Sequence, residues 1–159
     1  MLPELLATAR IYATSERMLT RLVGDFTPED WNARDAVGHT PRWVVGHLAT
    51  YRKKVAAMVG APQPEAPWEA VFLKGTAPAD VPADLDIQAV LASFHASHAA
   101  ILGRWEELTE AAMAVPYGRT LPDGTDTVGG AIGFMAWHET YHLGQLGLLR
   151  RLAGKPGAA

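Results

Sequence analysis

The chain has 159 residues, 48% of them apolar and 19% charged, with a net charge of −3 and no cysteine. That length supports one continuous core, so residues 1–159 read as a single domain, globular rather than disordered or fibrous. Short basic clusters at Arg52-Lys53-Lys54 and Arg150-Arg151 make no footprint for a nucleic-acid partner, and the lack of cysteine removes disulfides, iron–sulfur clusters, thiolate metal sites and cysteine nucleophiles.

Leu2, Leu5, Leu6, Ala9, Tyr12, Ala13, Leu19 and Val23 recur at three- and four-residue steps, which predicts a first helix ending near Gly24. Thr27-Pro28-Glu29-Asp30-Trp31 offers a capping hydroxyl, a proline and first-turn acids, the signature of one short turn. Thr40-Pro41 repeats that start, and Val44, His47, Leu48, Tyr51, Val55 and Met58 share one face of a second helix up to Gly60. Five prolines, at 62, 64, 67, 78 and 82, make Ala61 to Pro82 a long crossover, with one anchoring turn at Trp68, Val71, Phe72 and Leu73.

Asp84 is placed to cap a third helix with the face Ile87, Val90, Leu91, Phe94, His98, Ile101, Trp105 and Leu108, ending before Pro116-Tyr117-Gly118. Leu121-Pro122-Asp123-Gly124 is a turn, and Asp126 or Thr125 caps a fourth helix that runs to about Leu152 and stops at Gly154 and Pro156. The fold class is therefore all-α, a four-helix bundle with a long crossover between helices 2 and 3.

Met1-Leu2-Pro3-Glu4 lacks the basic stretch, apolar run and cleavage site of a secretory leader, so a reducing cytoplasm is expected. Thr127 to Leu149 is long enough to cross a bilayer, but His138, Glu139, His142 and Gln145 near its middle argue for a buried helix and no membrane partner.

His138 and His142 stand four residues apart on one helical face, with Cβ atoms roughly 6 Å apart, so both imidazoles can reach one ion. A third ligand must come from another helix, and His47 is the natural choice because its neighbours turn that face to the core. A lone histidine is ordinarily a satisfied core or surface residue. Two core-facing imidazoles on one turn each need a partner, and a shared cation supplies both. His138-Glu139-Thr140-Tyr141-His142 also matches the H-E-x-x-H motif of zinc proteases. No Asp or Glu follows Glu139, Gln145 and Leu148 stand where the longer motif needs glycine and histidine, and an all-helical chain lacks the sheet edge that holds a peptide.

Trp43-x-x-Gly46-His47-Leu48 and His138-Glu139-x-Tyr141-His142-x-Gly144-Gln145-Leu146 resemble the DinB/YfiT-like metalloenzymes, in which one histidine of helix 2 and an H-x-x-x-H pair of helix 4 form the site. The resemblance extends over helix order, crossover and histidine spacing. It implies an up-down-down-up bundle, a zinc or nickel ion and frequent homodimers. It also implies, for members with known activity, isomerase or S-transferase chemistry with a low-molecular-weight thiol such as mycothiol or bacillithiol. No DNA binding is implied.

Other polar residues face the same interior. Glu16 falls in the apolar stripe of helix 1, where it either orients a ligand histidine or accepts from Tyr12 or Tyr51, unless the stripe opens to solvent there. His98 projects beside Phe94 and Ile101 as a fourth ligand or catalytic base, a position the family does not use. Glu139, about 100° around the helix from His138, lies at the site's margin or pairs with a neighbouring helix. Gln145 is placed to bond a bound water or thiol, or to cap the bottom of the site. Gly129, Gly133, Ala136, Thr140, Gly144 and Gly147 form a small-residue stripe opposite the histidines, expected to be a homodimer face unless the crossover covers it.

Three neutral imidazoles leave a divalent ion its full charge and an open position, which lowers the pKa of a bound water toward about 7 and equally favours a thiolate. The expected function is a metal-dependent enzyme acting on a small molecule, a thiol transferase or isomerase ahead of a hydrolase. A non-catalytic metal-binding or small-ligand-binding bundle is the other class.

Overall fold

In the computed structural model, which describes residues 1–73 and 77–158, a 3-10 turn at Pro3–Leu5 leads into α1, Leu6–Val23. Ala9, Tyr12, Ser15, Leu19, Leu22 and Val23 are its buried stripe, at the spacing one helical face requires. The following turn is a 3-10 helix at Asp30–Asn32, and its cap is the reverse of the one expected. The Asp30 carboxylate accepts the Thr27 backbone N–H at 2.6 Å, while the Thr27 hydroxyl caps nothing there.

α2, Pro41–Met58, starts as its sequence dictates, with Thr40 Oγ1 accepting from the Trp43 N–H at 3.1 Å and proline in the first turn. It is the central helix, packed against α3 (Ile87–Leu102), the C-terminal helix and the crossover, and it is buried on most of its circumference. The crossover makes 3-10 turns at Pro67–Phe72 and Pro78–Asp80; the part of it at 74–76 lies outside the described residues. Its anchor is Phe72, whose fully buried ring occupies the space above Gly46 that a Cβ would fill.

Two boundaries differ from expectation. Asp86, not Asp84, caps α3, its Oδ1 accepting the Gln88 and Ala89 N–H groups at 3.0 and 3.1 Å. The helix also ends at Leu102, followed by Gly103, although Trp105 continues the apolar spacing and is buried from the succeeding turn. Thr109 then caps a short α4, Glu110–Met113. The predicted fourth helix is therefore α5, Val128–Leu152, and its cap is Thr127 rather than Thr125 or Asp126. Backbone pairing of Tyr117 with Asp126 at 2.6 Å and of Leu121 with Thr125 at 2.7 Å keeps those residues in a hairpin-like loop, so helix formation waits one residue more.

The core falls into two apolar clusters, one around Leu48, Phe94 and Leu146, the other around Tyr12, Ile101 and Ile132. Between them along the helices lies a layer of buried polar side chains that includes Ser15, Arg52, His98 and Glu139. Among the described residues no helix is long and apolar enough to cross a membrane.

Candidate metal centre

α2 and α5 bring His47, His138 and His142 together. His138 Nε2 lies 3.2 Å from His47 Nε2 and 3.2 Å from His142 Nε2, and the three nitrogens fall within 4.8 Å of one another. An imidazole nitrogen has one in-plane position, filled either by a proton or by a lone pair. His138 Nε2 therefore cannot satisfy both neighbours by hydrogen bonding, whereas one cation satisfies all three. A tetrahedral ion with nitrogen ligands at about 2.0–2.1 Å sets its donors about 3.3 Å apart, so the donor set fits a divalent transition metal in number, chemistry and spacing.

The rings are held in the state a cation needs. Burial pushes the pKa of His47 down to about 3, with His142, His138 and Lys54 adding to the effect and the Phe72 backbone opposing it. His138 falls to about 4 through burial, then His142 and Lys54, and His142 is lowered chiefly by burial. Neutral imidazole is the ligand form.

Supporting contacts fix two of the rings. Trp43 stacks on His47 with centroids 4.8 Å apart and an interplanar angle of 19°, and Tyr51 meets it from the next turn at 4.5 Å. These are the residues four before and four after His47 on α2, hence on its face. Gln145 Oε1 sits 3.0 Å from His142 Nδ1, and its amide donates to Asp35 Oδ2 at 3.3 Å. With the amide so oriented, His142 carries its proton on Nδ1 and turns the Nε2 lone pair inward. Asp35 is itself tied to the ring and backbone of His39, both at 2.9 Å. His47 Nδ1 is buried without a partner in hydrogen-bond geometry.

The remaining candidates lie elsewhere. Tyr12 is fully buried and donates to the Ile132 carbonyl at 3.0 Å. Glu16 neither orients a ligand histidine nor accepts from a tyrosine: it pairs with His95 of α3 at the bundle's half-exposed edge, where a second helix, rather than the centre, offers the donor. His98 faces Arg52 at 2.7 Å and is not part of the group formed by His47, His138 and His142. Glu139 is turned onto Arg52 and is 4% exposed. Gln145 is bonded to His142. Trp43 was open to prediction as a ring one turn before His47; Asp35 lies in a loop with no periodicity to place it.

The small-residue stripe of α5 is divided. Gly129 faces Met113, Gly147 meets Leu22 and Ala136 is buried, while Gly133 and Gly144 have open space where a Cβ would stand. A groove of about 800 Å³ runs along the exposed part, flanked by Ile11 and Met18 of α1, Leu148, and Arg10 and Arg151. Among the described residues, the C-terminal tail and α1 border this groove, and no crossover residue lines it.

A family model described as the DinB superfamily matches residues 11–146. No curated protein and no solved structure matches the chain.

Proposed function

The chain belongs to the DinB superfamily, and from that premise we propose that it is a metalloenzyme holding one zinc or nickel ion through His47, His138 and His142 and using a low-molecular-weight thiol for S-transfer or isomerisation of a small molecule. The observation that carries this reading is the triangle of Nε2 atoms, two of whose sides measure 3.2 Å. A divalent ion bound there supplies Lewis acidity and a charge that favours the thiolate.

The chain's own residues do the rest. Gln145 keeps the His142 proton on Nδ1, Trp43 and Tyr51 grip His47, and the Phe134 ring lies along His138 at 6.5 Å. A thiol is favoured over hydrolysis because the nearest carboxylate in sequence, Glu139, is engaged on both oxygens by Arg52 and is withdrawn from the work of a general base.

Elemental analysis of untagged protein should find one zinc or nickel per chain, lost in His47→Ala and His142→Ala. Metal near zero in the parent, or retained in both variants, overturns the reading. Adding a thiol to cobalt-substituted protein should change its visible spectrum; an unchanged spectrum favours a non-catalytic metal-binding bundle. We further propose that a second copy packs on the exposed α5 face around Gly133, Thr140 and Gly144, to be checked by sedimentation at micromolar concentration.

A further inference from the structure

α5 and the loop before it enclose a second space, a pocket of about 450 Å³ lined by Pro122, Asp123, Gly133, Phe134 and Trp137. That volume is in the range of small-molecule sites. Phe134 and Trp137 are three residues apart, hence on one face of α5, and they make an aromatic corner with centroids 5.4 Å apart and planes inclined at 43°. Nothing stands within 4 Å of where a Cβ on Gly133 would be, so the wall there is bare backbone. Trp137 is 59% exposed even with Phe134 and Tyr141 beside it, so much of its indole is available to a guest.

Asp123 is the charged residue of this lining. Its loop is held by the Leu121 N–H on the Thr125 carbonyl at 2.7 Å and the Gly124 N–H on the Leu121 carbonyl at 2.9 Å. Asp123 Oδ1 accepts the Thr125 N–H and hydroxyl at 3.1 and 2.8 Å, while Oδ2 has no hydrogen-bond partner and neither oxygen pairs with a cation among the described residues. Arg119, earlier in the same loop, lies by the Tyr117 ring instead, 5.7 Å from its centroid. An unneutralised carboxylate and the negative faces of two aromatic rings give the pocket one sign of potential. A neutral guest would leave the carboxylate unanswered, and an anion would be repelled.

We infer that this pocket binds an apolar organic cation, an alkylammonium whose carbon groups lie on Trp137 and Phe134 while its charge faces Asp123. Phe134 also stacks along His138, with centroids 6.5 Å apart and planes within 23°, so a molecule held there lies one ring from the three imidazoles. The inference stands on the pocket alone and requires no metal.

Choline and its neutral isostere, in which a tert-butyl group replaces the trimethylammonium, share a shape and differ in charge. In an NMR titration followed at the Gly133 amide, which every variant retains, choline should bind about tenfold more tightly than the isostere, as cation–π attraction implies. The advantage should vanish in Trp137→Leu and shrink about two- to fivefold in Asp123→Asn. Both side chains are exposed, so neither change removes core packing. Equal affinity for the two compounds in the parent, or a Gly133 resonance that neither compound moves, overturns the inference, as does an advantage kept in full by either variant.

Discussion

Arg52 of α2 grips both carboxylate oxygens of Glu139 on α5, with Nε 2.7 Å from Oε2 and Nη2 2.5 Å from Oε1. Its Nη1 donates to His98 Nδ1 of α3 at 2.7 Å, and its plane lies over Phe94 at 4.3 Å. One guanidinium thus ties three helices at the polar layer, a single turn or so from His47 and bonded to the residue that follows His138. Burial pushes the Glu139 pKa up while Arg52 draws it down, so the pair holds because each charge answers the other. Arg52→Met should lower stability in urea unfolding by about 3–5 kcal/mol, since it strands a buried carboxylate, and Arg52→Met with Glu139→Leu should recover much of that loss. A single substitution costing under about 1 kcal/mol would show the pair to be incidental.

Gln145 sets the tautomer of His142, and Asp35 holds Gln145. Gln145→Leu should therefore weaken zinc binding about 10- to 100-fold with all three ligands intact, as loss of an outer contact does. Competition with a chromophoric chelator measures this directly. Asp35→Asn should give a smaller effect in the same direction, and an unchanged affinity in Gln145→Leu would remove the amide from the metal's support.

A Cβ at position 46 would lie 2.1 Å from the Phe72 ring. Gly46→Ala should cost about 1–3 kcal/mol by overpacking. In a Phe72→Ala background the clash is gone and alanine is the better helix former by about 1 kcal/mol, so the same change should become stabilising. Additive costs in the two backgrounds would mean that the ring does not occupy the notch.

The depressed histidines make the metal-free protein sensitive to acid. In the unfolded chain these imidazoles take up protons near the ordinary value of about 6.5, whereas in the folded state His47 does so at about 3 and His138 at about 4. The unfolded state binds more protons in that window, so stability falls as pH drops from 6.5 toward 4. The Tm of stripped protein should decline steadily over that range, with a shallower slope in His47→Ala. A flat profile in the parent would contradict the burial of these rings.

The helices and the three converging histidines were legible because both are matters of spacing. His138 and His142 announce their shared face by a four-residue step, and His47 follows from the apolar company of Val44, Leu48 and Val55. Helix ends were less so. Trp105 and Leu108 keep a helical interval beyond Gly103, and Thr127 gained the α5 cap only because a loop pairing that leaves no periodic trace holds Asp126 extended. Contacts made across elements were hidden for the same reason. Glu16 could be placed in the stripe of α1, but nothing in α1 reveals that His95 of α3 would answer it, nor that Asp35 in a loop would stand behind Gln145.

The clamp on His47 bears on how the proposed metal site would select its ion. With an indole on one side and a phenol ring on the other, that imidazole surrenders its torsional freedom when the chain folds, before any ion arrives. The bite is consequently ready-made, and ions of similar radius and similar affinity for imidazole meet the same fixed seat. If the three histidines hold zinc or nickel as proposed, discrimination between the two falls to the geometry each prefers and to which of them the surroundings provide.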